Sequence, residues 1–216
     1  MGSRPISPTM NKIYEDQYLL VIDKNAGIDV SEIETSFALP RNGLIHRIDK
    51  DTSGLLLIAK NENALNFFQK QFQERTVRKT YIALVNGIID ENEGIIDTLI
   101  GREGIKQKVF SLLGPESKKT GPRPAKTAWR VVRRYKEHTL VEASPKTGRK
   151  HQIRVHMAHL GFPIVGDRFY SFRNQQSTLQ RHFLHAKQIT IKMLDGDEKT
   201  FTSELPEELK KYLENL

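Results

Sequence analysis

The fold of this chain is decided by residues 44–60, which read L-I-H-R-I-D-K-D-T-S-G-L-L-L-I-A-K. The second half of this segment, from Gly54 to Lys60, is apolar on both faces, which predicts a strand in the centre of a sheet. The first half places polar and charged residues in a turn between this strand and an earlier apolar strand at residues 18–22. A loop that a rigid sheet holds in place is a common position for catalytic residues.

Further elements follow from hydrophobic periodicity and capping residues. Asn61 predicts the start of a helix with Leu65, Phe68 and Phe72 on one face. Other strands are predicted at residues 80–85, 125–134, 139–143 and 188–193, other helices at 152–160 and 209–216, and a loop at 114–124. Because strands outnumber helices and rarely alternate with them, we predict a mixed α+β fold with a largely antiparallel central sheet and flanking helices. We expect a flexible segment at 1–11 and a single domain over 12–216.

The charge of the chain is unevenly distributed along the sequence. The 216 residues carry a formal net charge of +8, and residues 102–134 hold ten basic but only two acidic residues. Residues 195–216 are acidic overall, so the pattern predicts either a surface for an anionic partner or an unevenly charged solvated surface. The sequence lacks cysteine, which excludes disulfides, iron–sulfur clusters and thiol nucleophiles. No apolar stretch is long enough to span a membrane, and we expect a cytoplasmic monomer.

Asp49 and Asp51 lie in the turn that precedes the central strand. Two nearby carboxylates are compatible with an acid/base pair, a metal site, or one catalytic group beside one capping group. The alternative is a structural turn in which Arg47 and Asp49 form a surface ion pair. The pattern by itself slightly favours the structural turn.

A second polar segment, residues 146–159, leads basic residues into the N-terminus of a helix. The N-terminus of a helix attracts anions, and Arg149, Lys150 and Arg154 would strengthen that attraction. His156 and His159 have a spacing compatible with a shared metal. A basic helix that contacts phosphate is favoured instead, because no acidic third ligand is adjacent. Tyr81, in a third segment, is by itself more typical of a core residue.

Taken together, these segments resemble the RluA-type family of RNA pseudouridine synthases. Residues 46–57 are similar to the signature H-R-[LI]-D-x-x-T-S-G-[LV] of that family, and residues 79–87 to its tyrosine motif. Residues 147–156 resemble its third motif, T-G-R-x-H-Q-I-R-V-H, and residues 183–186 a later one. The order and spacing agree over residues 12–194. Asn25 stands where the family usually has proline, Lys150 replaces the commoner threonine, and residues 102–124 match no motif.

The resemblance implies that the chain converts uridine in RNA to pseudouridine without cofactor or metal. It implies that Asp49 is the catalytic carboxylate, that Tyr81 stacks on the target base and acts as the base at C5, and that Arg154 pairs with Asp49. We expect Arg47 to fill the position that the extruded base leaves. The full set of expected RNA-binding residues is His46, Arg47, Thr52, Lys79, Arg102, Lys126, Arg149, Lys150, His151 and Gln152.

Two other functions stay open at this stage. One is a metal-dependent RNA hydrolase that uses Asp49, Asp51 and the histidines His151, His156 and His159. The other is a non-catalytic RNA-binding module that grips phosphates. Only eleven residues precede the predicted domain at 12–216, whereas a separate S4-type RNA-binding domain needs at least ~40. We therefore expect the catalytic domain itself to recognise its RNA, either tRNA or ribosomal RNA.

Overall fold

A computed structural model describes residues 10–110, 121–172 and 177–216 of the chain. The described residues form two compact units. The first unit comprises the residues up to Lys79 together with His185–Pro206, and the second comprises Thr80–Leu184 together with Glu207–Leu216.

Ten strands and three helices make up the regular structure of the described residues. The strands are β1 (Asn11–Glu15), β2 (Leu19–Lys24), β3 (Ser53–Ala59), β4 (Arg78–Asn86), β5 (Glu93–Glu103), β6 (Lys106–Phe110), β7 (Arg123–Arg134), β8 (His138–Pro145), β9 (Leu184–Lys192) and β10 (Glu198–Thr202). The helices are α1 (Glu62–Glu74), α2 (Gln152–His159) and α3 (Glu207–Glu214). Short 3-10 turns at Val30–Glu32 and Pro40–Gly43 lie in the connection from β2 to β3.

The sheet of the first unit has the strand order β1-β2-β3-β9, and β10 pairs with β9. The β3–β9 pair is parallel, whereas the other pairs of this unit are antiparallel. All seven residues of β3 are buried, as expected for a strand covered on both faces. Helix α1 begins where the Asn61 side chain accepts a hydrogen bond from the Ala64 amide at 2.9 Å. Its residues Leu65 and Phe68 join the core formed by β2, β3 and β9.

The sheet of the second unit has the strand order β4-β8-β7-β5-β6, and its described pairs are antiparallel. In β5, exposed and buried residues alternate from Ile95 to Thr98, so that Ile96 and Thr98 face inward while Asp97 faces solvent. Helix α2 is almost wholly buried. The ring of Tyr212 in α3 packs edge-on against Phe183, with ring centroids 6.2 Å apart.

The prediction of an α+β fold with a mixed, largely antiparallel sheet is confirmed. The predicted central strand, the helix after Asn61 and the hairpin of β7 and β8 are present. Strands β1, β5, β6 and β10 were not among the strands predicted from the sequence. Most of the predicted loop at 114–124 and of the predicted flexible segment at 1–11 lies outside the described residues. The domain boundaries stay a prediction.

Candidate active site

The loop that carries Asp49 runs beside β3 before it enters that strand. Leu44 forms an isolated antiparallel bridge with Ile58, and the Ile45 amide donates to the carbonyl of Leu57 at 3.2 Å. The Thr52 amide then donates to the Asp49 carbonyl at 3.0 Å, which closes a tight turn. Thr52 is buried, Asp49 is half-buried, and the flanking residues Arg47 and Lys50 are exposed.

A buried lysine forms hydrogen bonds that hold this loop in place. The Lys24 ammonium, which has 0% of its surface exposed, donates to the carbonyls of Asn25, Ile28 and Lys50 at 2.8, 2.9 and 2.9 Å. The Lys50 carbonyl also accepts a bond from the Gly27 amide at 3.0 Å. Lys24 therefore joins the β2 end to the residue that follows Asp49, a role that the sequence analysis did not assign to it.

His46 packs into the same loop as a neutral ring. Its Nε2 accepts a hydrogen bond from the Leu57 amide at 3.1 Å, so its proton resides on Nδ1. The ring stacks on Phe72 with centroids 4.8 Å apart and an interplanar angle of 11°. Burial and the nearby charge of Lys79 lower the pKa of His46 to about 3. The Lys79 ammonium itself lies 5.8 Å from the centre of the Phe72 ring.

The T-S-G part of the signature contacts the later motif at residues 183–186. Ser53 pairs with His185 and Gly54 with Ala186 in the parallel β3–β9 ladder. His185 is fully buried; its Nε2 donates to the Ser203 carbonyl at 3.2 Å, so Nδ1 accepts from the Ser53 hydroxyl at 2.9 Å. Gly54 has φ +111°, and a Cβ there would lie 2.4 Å from the Ala186 carbonyl oxygen, so only glycine fits.

Tyr81 belongs to the second unit and is half-buried on β4. It pairs across the sheet with Ala143 of β8, which in turn pairs with Trp129 of β7. Cross-strand partners share a face of a sheet, so the small Ala143 separates two aromatic residues in one row.

Gln152 connects three segments at the start of α2. Its Oε1 accepts bonds from the Thr147 hydroxyl at 2.7 Å and the Arg149 amide at 2.9 Å. Its Nε2 donates to the Lys126 carbonyl and the Thr127 hydroxyl, both at 3.0 Å. This buried amide thus has a structural role, and its contact with RNA stays a prediction.

Arg154 forms a buried ion pair with Asp167, a residue that the sequence analysis did not consider. Nε and Nη2 of Arg154 donate to Oδ2 and Oδ1 of Asp167 at 2.6 and 2.9 Å. The two side chains are 5% and 0% exposed. Burial alone would raise the pKa of Asp167, but hydrogen bonds and charge from Arg154 hold that pKa below its ordinary value. The pairing of Arg154 with Asp49 stays a prediction.

The histidines near Arg154 are held neutral. His182 is 3% exposed, and burial together with the charge of Arg154 lowers its pKa to about 3. His156 is fully buried between the hydroxyls of Thr98 and Thr127, at 3.1 Å from Nε2 and 2.9 Å from Nδ1, and burial lowers its pKa to about 4. Among the described residues, no group of three or more acidic or histidine side chains is placed to hold a metal ion.

Several of the predicted phosphate-binding cations have partners within the second unit. Lys126 forms an exposed ion pair with Asp97 at 2.8 Å. The Nε groups of Arg102 and Arg149 donate to the carbonyls of Gly104 and Pro124 at 2.8 and 3.0 Å. Lys150 is exposed, and His151 has left-handed backbone angles at the N-cap of α2. Lys118 and Lys119, which contribute to the basic segment, lie outside the described residues.

The fold and these motifs define a class of RNA-modifying enzymes, and comparison with known proteins agrees. A sequence model described as RNA pseudouridylate synthase matches residues 18–159, and the chain belongs to this family. Solved structures with the same fold include human RNA pseudouridylate synthase domain-containing proteins 4 and 1, with TM-scores of 0.79 and 0.78 and sequence identities of 24% and 27%. These alignments cover 95% and 92% of this chain, and 92% and 84% of the human chains.

Curated relatives share more of the sequence. The chain is 33% identical to ribosomal large subunit pseudouridine synthase D of Borreliella burgdorferi, over 98% of this chain and 70% of the relative. It is 39% identical to ribosomal large subunit pseudouridine synthase C of Vibrio cholerae, over 82% of this chain and 59% of the relative. An uncharacterized RNA pseudouridine synthase of Chloroflexus aurantiacus is 41% identical, over 82% of this chain and 54% of the relative. The alignments thus span 54% to 70% of the length of these relatives.

None of the helices in the described residues is long and apolar enough to cross a membrane.

Proposed function

We propose that this chain converts a uridine of large-subunit ribosomal RNA to pseudouridine, with Asp49 as the catalytic carboxylate. The observation that carries the proposal is the Asp49 loop, which Lys24, His46 and β3 hold in a fixed shape inside the family signature. The choice of ribosomal RNA rests on the names of the relatives from Borreliella and Vibrio.

The chemistry requires one carboxylate and one base. The C1'–N1 bond of uridine breaks, the freed uracil rotates, and a C1'–C5 bond forms while C5 loses its proton and N1 gains one. Asp49 attacks C1' or stabilises the electron-poor sugar, as carboxylates do in other glycosidic reactions. Because uracil is retained and no water enters, a second carboxylate has no role, unlike in a glycosidase.

The other residues prepare the substrate. A base inside a helix is out of reach, so the uridine must be extruded, and the half-buried Tyr81 offers a ring on which it stacks. Tyr81 is also the proposed base for the C5 proton. Arg154 is the proposed partner of the Asp49 carboxylate, in addition to its observed pair with Asp167. Exposed Arg47 is proposed to occupy the vacated position in the helix.

The test is release of tritium from ribosomal RNA labelled at C5 of uridine. We expect release by the wild-type chain and a fall of at least about a thousandfold in Asp49→Asn. Asp51→Asn is the matched control in the same loop and is expected to stay within about tenfold of wild type. Full activity of Asp49→Asn would overturn the assignment of Asp49. Cleavage of the RNA without tritium release would instead support a hydrolase. Tritium release from labelled tRNA but not from ribosomal RNA would indicate that the substrate is tRNA.

A further inference from the structure

Asp167 uses both carboxylate oxygens to fix the plane of the Arg154 guanidinium. Oδ2 accepts from Nε at 2.6 Å, and Oδ1 accepts from Nη2 at 2.9 Å. Two contacts along one edge remove rotation of the guanidinium about its long axis, which a single contact would allow. The directions of the N–H groups on the opposite edge are then set by Asp167.

The carboxylate of Asp167 is itself immobilised by its own turn. Its Oδ1 accepts bonds from the amides of Phe169 and Tyr170 at 2.9 and 3.2 Å. The residue before it, Gly166, has φ +76°, and a Cβ there would lie 2.2 Å from the Arg181 carbonyl oxygen. The chain therefore enters this turn along a path that only glycine permits, and Asp167 is 1% exposed at its centre.

The same turn places two aromatic rings against the guanidinium. The centres of the Phe169 and Tyr170 rings lie 5.6 and 5.3 Å from Cζ of Arg154. The Tyr170 hydroxyl accepts a bond from the Gln107 amide at 3.0 Å and lies 2.9 Å from Nδ1 of His151. One short segment thus holds Arg154 by charge at its edge and by ring contacts at its face.

We propose that Asp167 is a positioning residue, which acts on the reaction through Arg154 and does not contact the RNA. This inference rests on the proposed function, in which Arg154 directs the carboxylate of Asp49. Misplacement of a catalytic group by about 1 Å can cost a hundredfold in rate. An Arg154 that has lost Asp167 keeps its charge but loses its fixed direction.

The experiment compares single-turnover pseudouridine formation and RNA affinity in four chains: wild type, Asp167→Asn, Arg154→Lys and the double variant. We expect Asp167→Asn to lower the single-turnover rate about tenfold to a hundredfold while the Kd for RNA changes less than threefold. We expect Asp167→Asn to have little further effect in the Arg154→Lys chain, since both changes act through one group. Wild-type rates in a folded Asp167→Asn chain, or additive losses, would overturn the proposal.

A matched control and a milder variant separate positioning from folding. Glu208→Gln weakens another arginine–carboxylate pair of the second unit, in which Arg181 is 7% exposed, and is expected to keep the wild-type rate. If Asp167→Asn does not fold, Phe169→Leu replaces it, since Phe169 is 41% exposed and the loss of its ring leaves the ion pair in place. We expect Phe169→Leu to lower the rate severalfold in wild type but not in Arg154→Lys, and additive losses would contradict the proposal.

A readout that needs no activity makes the inference independent of the proposed reaction. The Nε–H proton of Arg154 is bonded to a buried carboxylate, so we expect a slowly exchanging NMR signal that Arg154→Lys removes. In Asp167→Asn this proton should exchange at least tenfold faster, and unchanged exchange would show that Asp167 does not fix Arg154. If wild type forms no pseudouridine but this exchange changes as expected, the proposed function fails while the positioning of Arg154 holds.

Discussion

At the scale of single residues, Lys24 shows how a buried charge can hold a loop. An ammonium group without water needs acceptors, and three backbone carbonyls supply them at 2.8–2.9 Å. Two of these carbonyls lie just after β2, and the third belongs to Lys50, which follows Asp49 in the chain. The position of the Asp49 loop therefore depends on a side chain that lies 25 residues before Asp49 in the sequence.

We predict that Lys24→Met lowers the free energy of unfolding by about 2–4 kcal/mol, because three charge-assisted hydrogen bonds are lost and buried carbonyls stay unsatisfied. Pseudouridine formation should fall by at least tenfold in the folded fraction, since Lys50 is released. Urea unfolding and single-turnover assays measure the two effects. Lys70→Met, at a lysine that is 72% exposed, is the control and should change stability by less than about 0.5 kcal/mol. Equal stabilities of the two variants would contradict the role of Lys24.

Residues with local signals could be predicted from the sequence, whereas their distant partners could not. Asp49 stands in a motif of adjacent residues, and its proposed role rests on the resemblance of that motif to the family signature. Asp167 and Lys24 act through groups 13 and 26 positions away. The sequence offers a weak signal for Lys24, a charge at the end of an apolar strand. It offers none for Asp167, whose partner is decided by how α2 and the following turn fold together.

At the scale of elements, Gln152 fastens the start of α2 to the edge of β7. Its amide uses two donors and both sides of its carbonyl oxygen, so all of its hydrogen-bonding capacity is satisfied inside the protein. The basic residues Arg149 and Lys150 lie directly before it and are positioned by this clamp. A glutamine in a basic motif therefore organises the cations around it.

We predict that Gln152→Leu lowers the free energy of unfolding by about 2–4 kcal/mol, with about 1 kcal/mol for each lost hydrogen bond. The Arg149 amide should exchange with solvent at least tenfold faster, because its acceptor is gone. Urea unfolding and NMR hydrogen exchange measure these effects. Gln71→Leu is the matched control, since that amide makes two exposed bonds to Lys192, and should cost less than about 1 kcal/mol. Unchanged exchange at Arg149 in Gln152→Leu would rule out the clamp.

Elements with a regular pattern of apolar residues could be predicted from the sequence, and elements with an irregular pattern could not. Helix α1 has a capping asparagine and a regular apolar face, and β3 has seven consecutive buried residues. Strand β5 places Ile95, 64% exposed, on its solvent face, which interrupts the alternation that marks a strand. Strand β6 has two lysines in five residues, and its register follows from pairing with β5. The sequence of β6 by itself does not predict that pairing.

At the scale of the whole molecule, three histidines with lowered pKa values make the free energy of unfolding depend on pH. The pKa values of His46 and His182 are lowered to about 3 and that of His156 to about 4, each by burial first. An unfolded histidine titrates near 6.5, so the unfolded chain binds up to three more protons as the pH falls below that value. The contribution of these neutral histidines to the free energy of unfolding is therefore fully present above about pH 6.5 and is lost as the pH falls toward 4.

We predict that the free energy of unfolding decreases by up to about 1.4 kcal/mol per pH unit for each such histidine between pH 6.5 and 4.5. Urea unfolding at pH 7.5, 6 and 5 measures this slope. His156→Gln should reduce the slope of the unfolding free energy against pH by the contribution of one histidine, whatever its effect on stability at pH 7.5. Equal slopes for wild type and His156→Gln would disprove the assignment.

Several basic residues of the second unit are already paired with carboxylates of the protein. Lys126 is paired with Asp97, Lys108 with Glu103, and Arg130 with Glu142. A cation that already has a carboxylate partner gains less from a phosphate, because it must give up the first contact. The count of 34 Lys and Arg residues therefore overstates the number of cations that are ready to bind RNA.

We predict that Lys150→Ala weakens RNA binding more than Lys126→Ala, and that it reduces the salt dependence of log K by about one unit of slope. Asp97→Asn should tighten binding, because it releases Lys126. Filter binding between 50 and 200 mM salt measures all three variants with one RNA. Weaker binding by Asp97→Asn would contradict the view that this carboxylate competes with phosphate.

The most direct test of the central claim is a map of pseudouridine in the large-subunit ribosomal RNA of cells that lack this gene. We expect one or a few uridines to remain unmodified, and we expect modification to return with the wild-type chain but not with Asp49→Asn. Production of the Asp49→Asn chain at wild-type level serves as the control for folding. An unchanged map in the deletion strain, or full restoration by Asp49→Asn, would contradict the claim that this loop forms pseudouridine in ribosomal RNA.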